Sequence, residues 1–317
     1  MTLLQVKDLK ISFSIQGRKL QAVQGISFTL NQGESVGIVG ESGCGKSTAI
    51  QAITRLSRAS HFSGTVLYRN QNLLEMNEAD LRRIRGKEIG FIFQDPMTSL
   101  NPTMKIGVQL CEGLLYHRLA TPKEAIFKVL ELLTLVGVSE PKERLDQYPH
   151  QLSGGLRQRI LIAIALACNP KILIADEPTT ALDVTIQSQI LHLLKKMQNH
   201  FQMGLILVTH DLGVVSSLCD RILVMYAGKI VEEGTAEDIL LRPRHPYTQM
   251  LLRSRPAIDQ KKNEKLMTIG GMPPNLLHPP LGCPFEERCP QALSICKKPP
   301  PFFQNAACWL YNESVPS

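Results

Sequence analysis

The sequence lacks any long hydrophobic run and shows no layout typical of a signal peptide. Its longest apolar run, Ile160 to Cys168, has nine residues, whereas a helix needs about 20 to span a bilayer. The N-terminal residues Met1 to Asp8 do not combine a basic start with an apolar stretch. We therefore expect a cytoplasmic protein, in a compartment where disulfides are rare.

A strong charge of one sign is also missing from most of the chain. Residues 1–241 carry 25 Lys and Arg against 23 Asp and Glu, whereas residues 242–317 carry 10 against 5. The near balance of the first part gives no sign of a nucleic-acid-binding stripe. The basic tail could meet an acidic partner or anionic lipid head groups, or it could simply be solvated.

Proline is scarce before residue 241, and 13 of the 20 prolines follow it. The uneven proline distribution predicts two domains, residues 1–241 and 242–317. In the first, short Val/Ile/Leu runs alternate with helical patterns, which predicts an α/β fold with a mainly parallel sheet. The first 30 residues differ and predict a hairpin-rich antiparallel layer. Residues from about 97 to 165 predict a helical insertion.

Residues 40–48 form a complete phosphate-binding loop of the G-x-x-x-x-G-K-[S/T] type. The glycines permit backbone angles that turn several N–H groups toward one anion. Lys46 would reach the β- and γ-phosphates, and the Ser47 hydroxyl would bind Mg²⁺. An apolar strand pattern precedes the loop and a helical pattern follows it, which argues against a chance glycine-rich turn. The predicted nucleotide-binding residues are Gly40, Glu41, Ser42, Gly43, Cys44, Gly45, Lys46, Ser47 and Thr48.

Two acids follow the apolar run Ile172 to Ala175. Asp176 ends a predicted strand, where a carboxylate suits Mg²⁺ coordination beside a phosphate loop. Glu177, one residue on, can point elsewhere and polarise the attacking water. An isolated Asp-Glu pair is more often a solvated strand end, but the phosphate loop favours the catalytic interpretation.

A third segment, Leu152 to Arg159, precedes a long apolar helix. Its serine and two glycines make an open helix N-terminus that suits an anion, or simply a capped helix. In chain order, the motifs are the phosphate loop, Gln94, Leu152-Ser-Gly-Gly155, Ile172 to Glu177, Ala181-Leu-Asp183 and Thr209-His210. This series resembles the ATP-binding subunit of an ABC transporter and covers residues 1 to about 241. The resemblance implies a P-loop ATPase core of the α/β class with an antiparallel β layer and a helical subdomain.

The resemblance also implies a head-to-tail dimer. Ser153, Gly154 and Gly155 of one chain would contact the γ-phosphate bound at the partner's loop. Asp183 would act at the dimer interface.

Three further residues take roles from the resemblance. Gln94 would sense Mg²⁺ and the attacking water. His210 would contact the γ-phosphate, the alternative being a satisfied core histidine. Phe13 lies where an aromatic ring stacks under adenine, although a Phe in a strand is more often core.

Four of the eight cysteines lie in the tail, at Cys283, Cys289, Cys296 and Cys308. Zinc sites usually show C-x-x-C pairs, which are missing, and no common ferredoxin spacing is present. The spacing alone leaves metal ligands and free thiols open. The tail also resembles the C-terminal extension of oligopeptide, dipeptide and nickel importer ATPases. That resemblance implies a structural [4Fe–4S] cluster held by these four cysteines in a small irregular domain.

Taken together, the motifs predict an ATPase subunit that powers peptide import, with ATP, Mg²⁺ and a [4Fe–4S] cluster as cofactors. The alternatives are an importer of nickel or another small solute, and a soluble ABC ATPase of translation or DNA repair. The expected partners are two transmembrane permease subunits, a second homologous ATPase and an external solute-binding protein, with no nucleic acid. The expected location is the cytoplasmic face of the cell membrane, as a peripheral subunit.

Overall fold

Alternating strands and helices make up the described part of the chain, which is residues 1–180, 182–254 and 269–311 of a computed structural model. Ala181 of the Ala181-Leu-Asp183 motif and parts of the predicted tail domain lie outside the described residues. The strands are β1 (Thr2–Ile15), β2 (Arg18–Asn31), β3 (Ser35–Val39), β4 (His61–Tyr68), β5 (Gln71–Asn72), β6 (Ile89–Ile92), β7 (Ile172–Asp176), β8 (Gly204–Thr209), β9 (Arg221–Tyr226), β10 (Lys229–Thr235), β11 (Phe302–Phe303) and β12 (Ala306–Ala307). The helices are α1 (Lys46–Ile53), α2 (Glu78–Ile84), α3 (Pro96–Ser99), α4 (Ile106–Tyr116), α5 (Pro122–Leu135), α6 (Pro141–Leu145), α7 (Gly154–Leu166), α8 (Val184–Phe201), α9 (Leu212–Leu218), α10 (Ala236–Leu241) and α11 (Pro246–Arg253).

Backbone contacts divide the chain into two units. The first unit comprises Met1–Leu4, Leu30–Ser35 and Tyr68–Val208, and the second comprises Gln5–Thr29, Val36–Leu67 and Thr209–Ser317. The division into domains at residue 241 stays a prediction. Within the described residues, we find no helix with both the length and the apolar character required to cross a bilayer.

The first unit is built on the parallel strands β6, β7 and β8. Ile89 of β6 lies opposite Ile172 of β7, and Ile174 of β7 lies opposite Ile206 of β8. All residues of β7 and β8 are buried, as expected for parallel strands covered on both faces. The strand predicted to end at Asp176 is confirmed.

Helices of the same unit occupy the stretch for which a helical insertion was predicted. Helices α4, α5 and α7 pack against one another, and their contact faces include the buried residues Leu110, Val129 and Ile160. Helix α5 begins with a capping box in which Thr121 and Glu124 satisfy each other's backbone N–H groups. Local capping and a shared apolar face therefore stabilise this helical layer.

The second unit contains two sheet segments. In one, β2, β1 and β4 are neighbours, and the tight β1–β2 turn has positive φ at both Gln16 and Gly17, as such hairpins require. This is the antiparallel layer expected from the sequence. In the other, β3 runs parallel to β9, and β9 pairs antiparallel with β10. Strand β3 is entirely buried and leads directly into the phosphate-binding loop.

Within the second unit, the C-terminal tail packs against β9 through aromatic rings. Tyr226 of β9, Tyr247 of α11 and Phe285 of the tail are fully buried. The Tyr226 and Tyr247 ring centroids are 4.6 Å apart, and the Phe285 centroid lies 5.3 Å from each of them. Strand β12 of the tail also pairs with β10, since Ala306 lies opposite Glu232. Apolar contact and strand pairing thus order part of a tail that is rich in proline.

His245, the N-cap of α11, is buried beside this aromatic cluster. Its Nδ1 accepts a hydrogen bond from the backbone N–H of Tyr247 at 3.1 Å. Its own backbone N–H donates to the carboxylate of the buried Glu232 at 3.0 Å. Burial lowers the pKa of His245 from 6.5 to about 4. The imidazole is therefore neutral in the folded protein at neutral pH.

This burial predicts that His245 makes the fold sensitive to acid. Unfolded His245 binds a proton as the pH falls below 6.5, whereas the folded residue resists until pH about 4, so stability is lost as the pH falls through this window. We expect protonation of His245 in the unfolded chain to lower the free energy of unfolding by about 2 kcal/mol at pH 5 relative to pH 7.5. Urea unfolding of wild type and His245→Asn at both pH values measures this difference.

The Asn variant keeps an N-cap acceptor, so its loss of stability on acidification should be smaller than that of the wild type. The exposed His192→Asn is the matched control and should follow the wild type. An equal pH dependence in all three proteins would contradict the assignment.

Candidate functional site

The phosphate-binding loop of the second unit runs from the end of β3 to the start of α1 and turns on three glycines. Gly40, Gly43 and Gly45 have φ angles of 156°, 78° and 101°, and the last two lie well inside the left-handed region that favours glycine. A Cβ atom on Gly40 would collide with the Met225 carbonyl, and one on Gly45 would collide with the Ala22 carbonyl. Space and backbone angle together require glycine here.

Lys46 opens helix α1 with its side chain turned into the loop. The residue is only 4% exposed, and its Nζ donates to the carbonyl oxygens of Gly40 at 2.8 Å and Glu41 at 3.0 Å. A positive charge thus lies within the loop at the N-terminus of a helix, where the helix dipole also favours an anion. Burial raises the pKa of the neighbouring Cys44 thiol, which keeps that group neutral beside the phosphate-binding backbone.

Phe13 of the second unit lines an open groove. The groove has a volume of about 350 Å³ and includes the basic residues Arg18 and Lys19 on its wall. Phe13 itself is half-buried, so its ring is not closed into the core. The arrangement offers an aromatic surface to a flat ligand, flanked by positive charge.

In the first unit, the acid pair stands at the end of β7. Asp176 is 1% exposed and is the last residue of the strand. Glu177 has φ 44°, an uncommon backbone angle for a residue other than glycine. Its carboxylate accepts hydrogen bonds from Gln94 Nε2 at 3.1 Å and from Thr180 Oγ1 at 3.0 Å. The left-handed backbone lets Glu177 turn away from the direction of the strand.

Gln94 reaches Glu177 because β6 and β7 are parallel neighbours. Ile92 lies opposite Ala175, so the segments that follow both strands leave the same edge of the sheet. The structure therefore brings together two residues that were expected to serve the same chemistry, although they are separated by 83 positions. The Thr180 contact was missed, and only its closeness to the acid pair could have suggested it.

Ser153 and Asp183 cap two helices of the first unit. The Ser153 hydroxyl accepts from the N–H of Leu156 at 3.4 Å, at the start of α7. The Asp183 carboxylate accepts from the N–H of Ile186 at 2.9 Å, at the start of α8. A Cβ atom on Gly155 would lie 3.2 Å from Ile186 Cγ2, so the two helix starts are close. Ser153, Gly154 and Asp183 are exposed, which leaves this surface open to another molecule.

His210 follows β8 and belongs to the second unit. Its side chain is exposed, so the alternative of a buried core histidine is wrong. The next residue, Asp211, accepts from the N–H of Gly213 at 2.7 Å and starts α9. A capped helix thus fixes the backbone that follows the histidine.

The four tail cysteines lie in one region of the second unit. Cys283, Cys296 and Cys308 are buried and Cys289 is half-buried. The N–H of Cys283 donates to the Cys296 carbonyl at 2.8 Å, and the Cys283 thiol interacts electrostatically with the other three thiols. Burial raises the pKa of Cys283 and Cys308 to about 11, and the neighbouring thiols add to the shift.

The described residues nonetheless show no ready-made metal centre. In residues 1–180, 182–254 and 269–311, no three His, Cys, Asp or Glu side chains converge closely enough to hold a metal ion. The iron–sulfur centre expected from the sequence therefore gains no support from this geometry, in which burial favours neutral thiols.

Comparison with protein families and known proteins gives a consistent result. Residues 23–180 match the family model described as "ABC transporter", and residues 231–296 match "Oligopeptide/dipeptide transporter, C-terminal region". The Dipeptide transport ATP-binding protein DppD of Bacillus subtilis is 50% identical over 98% of this chain and 95% of its own length. The Oligopeptide transport ATP-binding protein OppD of Salmonella typhimurium is 47% identical over 94% of this chain and 89% of its own length.

Solved structures agree with these sequence relatives. The dimeric bacterial ABC transporter cassette MJ0796 is similar with a TM-score of 0.66 and 30% identity, covering 74% of this chain and 98% of that one. Its post-hydrolysis form bound to ADP and phosphate gives a TM-score of 0.67. The α/β fold of an ABC ATPase, expected from the motifs, is confirmed. The chain therefore belongs to the ABC transporter family, as an ATPase cassette that carries the oligopeptide/dipeptide transporter C-terminal region.

Proposed function

We propose that this ATPase powers the import of dipeptides or oligopeptides through an ABC transporter. The observation that carries the proposal is the similarity, along nearly the whole chain, to proteins named for dipeptide and oligopeptide transport. The match of residues 231–296 to the oligopeptide/dipeptide transporter C-terminal region supports it independently of the ATPase core. ATP hydrolysis in this chain would drive the transport cycle.

The proposed partners follow from the same comparisons. We infer a head-to-tail dimer with a second, homologous ATPase, on the cytoplasmic face of the membrane, below two permease subunits and an external solute-binding protein. The dimeric MJ0796 structure supports the ATPase pair. Another similar structure, CbiO1 of Clostridium perfringens, is titled as part of a transporter complex.

We assign the triphosphate to the phosphate-binding loop of the second unit. Lys46 would hold the β- and γ-phosphates, His210 would contact the γ-phosphate, and the half-buried Phe13 would stack on adenine. The Ser47 hydroxyl, Asp176 and Gln94 offer oxygen donors of the kind that Mg²⁺ prefers. When bound, Mg²⁺ would neutralise phosphate charge.

Glu177 is the proposed group that orients and polarises the attacking water. Its carboxylate is held by Gln94 and Thr180, which leaves it little rotational freedom. A carboxylate fixed before the reaction costs no reorganisation when the water attacks. Gln94 donates to Glu177, so it would act as a positioning residue as well as a sensor of the γ-phosphate site.

Ser153, Gly154, Gly155 and Asp183 are proposed to act on the partner's nucleotide. They share an exposed surface with two helix starts. Unpaired N–H groups at a helix N-terminus bind anions well. A γ-phosphate presented by a second chain fits this chemistry.

For the tail we propose a structural [4Fe–4S] cluster on Cys283, Cys289, Cys296 and Cys308. Four soft thiol donors lie in one region, and a backbone hydrogen bond already joins Cys283 to Cys296. The cluster, when bound, would cross-link the tail.

The transport proposal is tested by uptake of labelled dipeptide and oligopeptide into vesicles that carry the assembled transporter. In Glu177→Gln we expect ATP binding to persist and hydrolysis and uptake to fall by roughly 10²-fold, because the water loses its polarising carboxylate. The partner's ATP site is disabled separately. The exposed Glu237→Gln removes the same charge elsewhere and should behave as wild type.

Near-normal hydrolysis in Glu177→Gln would contradict the role of this carboxylate. ATP-dependent uptake of Ni²⁺ without any uptake of peptide would replace the peptide proposal by a metal importer.

The dimer proposal predicts that the new charge in Gly155→Asp prevents ATP-dependent dimerisation. The new carboxylate would face the partner's γ-phosphate and block closure by repulsion, while this chain's own loop should still bind ATP. ATP-dependent dimerisation, measured by light scattering or sedimentation, should be lost in Gly155→Asp and kept in the neutral, isosteric Gly155→Asn. Loss of ATP binding by the isolated Asp variant would contradict a site that acts on the partner.

The cluster proposal predicts that anaerobically purified protein is brown and contains about four iron and four sulfide per chain. Cys289→Ser should bleach it and make the tail more sensitive to protease, because one ligand is lost. Cys168→Ser, a half-buried cysteine of the first unit, is the matched control and should stay brown. Colourless anaerobic protein, with stoichiometric zinc or no metal, would contradict the proposal.

A further inference from the structure

Glu41 places a negative charge inside a loop whose ligand is itself strongly anionic. The loop pattern allows any residue at this second position, so the sequence does not explain a carboxylate there. The side chain is 25% exposed, and its backbone carbonyl accepts from Lys46 Nζ at 3.0 Å. The carboxylate therefore belongs to the same small region as the ammonium that would bind the phosphates.

Arg288 of the tail forms a bidentate ion pair with this carboxylate. Its Nη1 donates to Glu41 Oε2 at 2.7 Å, and its Nη2 donates to Glu41 Oε1 at 2.9 Å. The Arg288 side chain is only 5% exposed. Hydrogen bonding to Glu41 raises the pKa of Arg288 further, so the guanidinium stays charged. A bidentate pair of this kind fixes the position of the Glu41 carboxylate and offsets its negative charge.

The tail holds Arg288 in place by further contacts. Its Nε donates to the Gly270 carbonyl at 2.9 Å, and Nη2 also donates to the Ile269 carbonyl at 3.1 Å. Nη1 donates to the Tyr226 hydroxyl at 3.1 Å, and the guanidinium lies 5.9 Å from the centre of the Phe285 ring. Arg288 is thus oriented by its surroundings and not by Glu41 alone.

A second tail contact reaches the backbone of the same loop residue. The hydroxyl of Tyr247 accepts a hydrogen bond from the Glu41 N–H at 2.9 Å, and Tyr247 is fully buried in the aromatic cluster. The N–H, the carbonyl and the carboxylate of Glu41 each have a fixed partner. The C-terminal part of the chain therefore supplies two of the three groups that hold this loop position.

Loss of Arg288 would release the Glu41 carboxylate beside Lys46. The free carboxylate could then pair with the Lys46 ammonium, and it would repel the phosphates across a short distance. Both effects oppose nucleotide binding, although no residue that contacts the phosphates is replaced.

We propose that Arg288 is a positioning residue for ATP binding, which holds and neutralises Glu41 so that Lys46 and the loop remain available to the triphosphate. The inference rests on the proposed role of the loop in ATP binding. It makes the tail a determinant of nucleotide affinity. Because Arg288 directly precedes Cys289, a ligand on that cysteine would fix the backbone from which the guanidinium projects.

The test is titration of the full-length protein with Mg²⁺ and a fluorescent ATP analogue, with competition by ATP. We expect Arg288→Met to raise Kd by about tenfold and the KM of the assembled ATPase by a similar factor, with kcat nearly unchanged. Adding Glu41→Gln to Arg288→Met should restore affinity to within about threefold of wild type, since the released charge is gone. A purely structural role of Arg288 would not give this rescue.

Arg242→Met removes an arginine whose side chain is 71% exposed and should leave Kd unchanged. Circular dichroism and thermal unfolding check that each variant is folded. If Arg288→Met does not fold, Arg288→Gln takes its place, with the same rise in Kd and the same rescue by Glu41→Gln expected, and wild-type affinity in a folded Arg288→Gln would overturn the proposal.

Wild-type affinity in a folded Arg288→Met, or a double variant as weak as the single one, would overturn this inference and leave the ATPase assignment intact. A wild-type protein that binds no ATP would overturn both the proposed role of the loop and this inference.

Discussion

The loop between β3 and α1 must bring backbone N–H groups and one ammonium to a single anion, and this constraint orders the surrounding structure. A Cβ atom on Gly40 or Gly45 would collide with the carbonyl of Met225 or Ala22. The loop therefore packs directly against neighbouring backbone. Lys46 is buried with carbonyl partners from the same loop. Glycine, lysine and the buried strand behind them form one interdependent arrangement.

Charge placement follows from this arrangement. The loop contains Lys46 and Glu41, and the tail contributes Arg288, so the acid is paired with the arginine while the lysine donates to the Gly40 and Glu41 carbonyls. In the first unit, the Glu177 carboxylate accepts hydrogen bonds from Gln94 and Thr180, which fits its proposed role of polarising water.

The sequence allowed the strand, loop and helix around residues 35–53 to be predicted, because apolar runs and the glycine pattern are local signals. The resemblance to ABC ATPases implied that Gln94 and Glu177 serve one chemistry, and the parallel pairing of β6 and β7 brings the two residues together. The caps at Ser153 and Asp183 were readable from residue type and position. The loop and the two caps depend on short stretches of chain.

Other features could not be predicted because they depend on distant contacts. Arg288 and Glu41 are separated by 247 positions, and nothing local marks either residue as a partner. The burial of His245 and Glu232 depends on the aromatic packing of the tail. The left-handed angle of Glu177 has no signal in a residue type that rarely adopts it. The cysteine spacing left metal and free thiols open, because it matches neither a common zinc pattern nor a common ferredoxin pattern.

Calorimetric titration of Mg²⁺-ATP into the full-length protein, in wild type and Lys46→Ala, tests the central claim most directly. The account predicts saturable binding of one ATP per chain in the wild type. It predicts a loss of affinity of about tenfold or more in the variant, because a charge-assisted contact to the phosphates is removed. Equal affinity in the two proteins would contradict the claim that this loop binds the triphosphate.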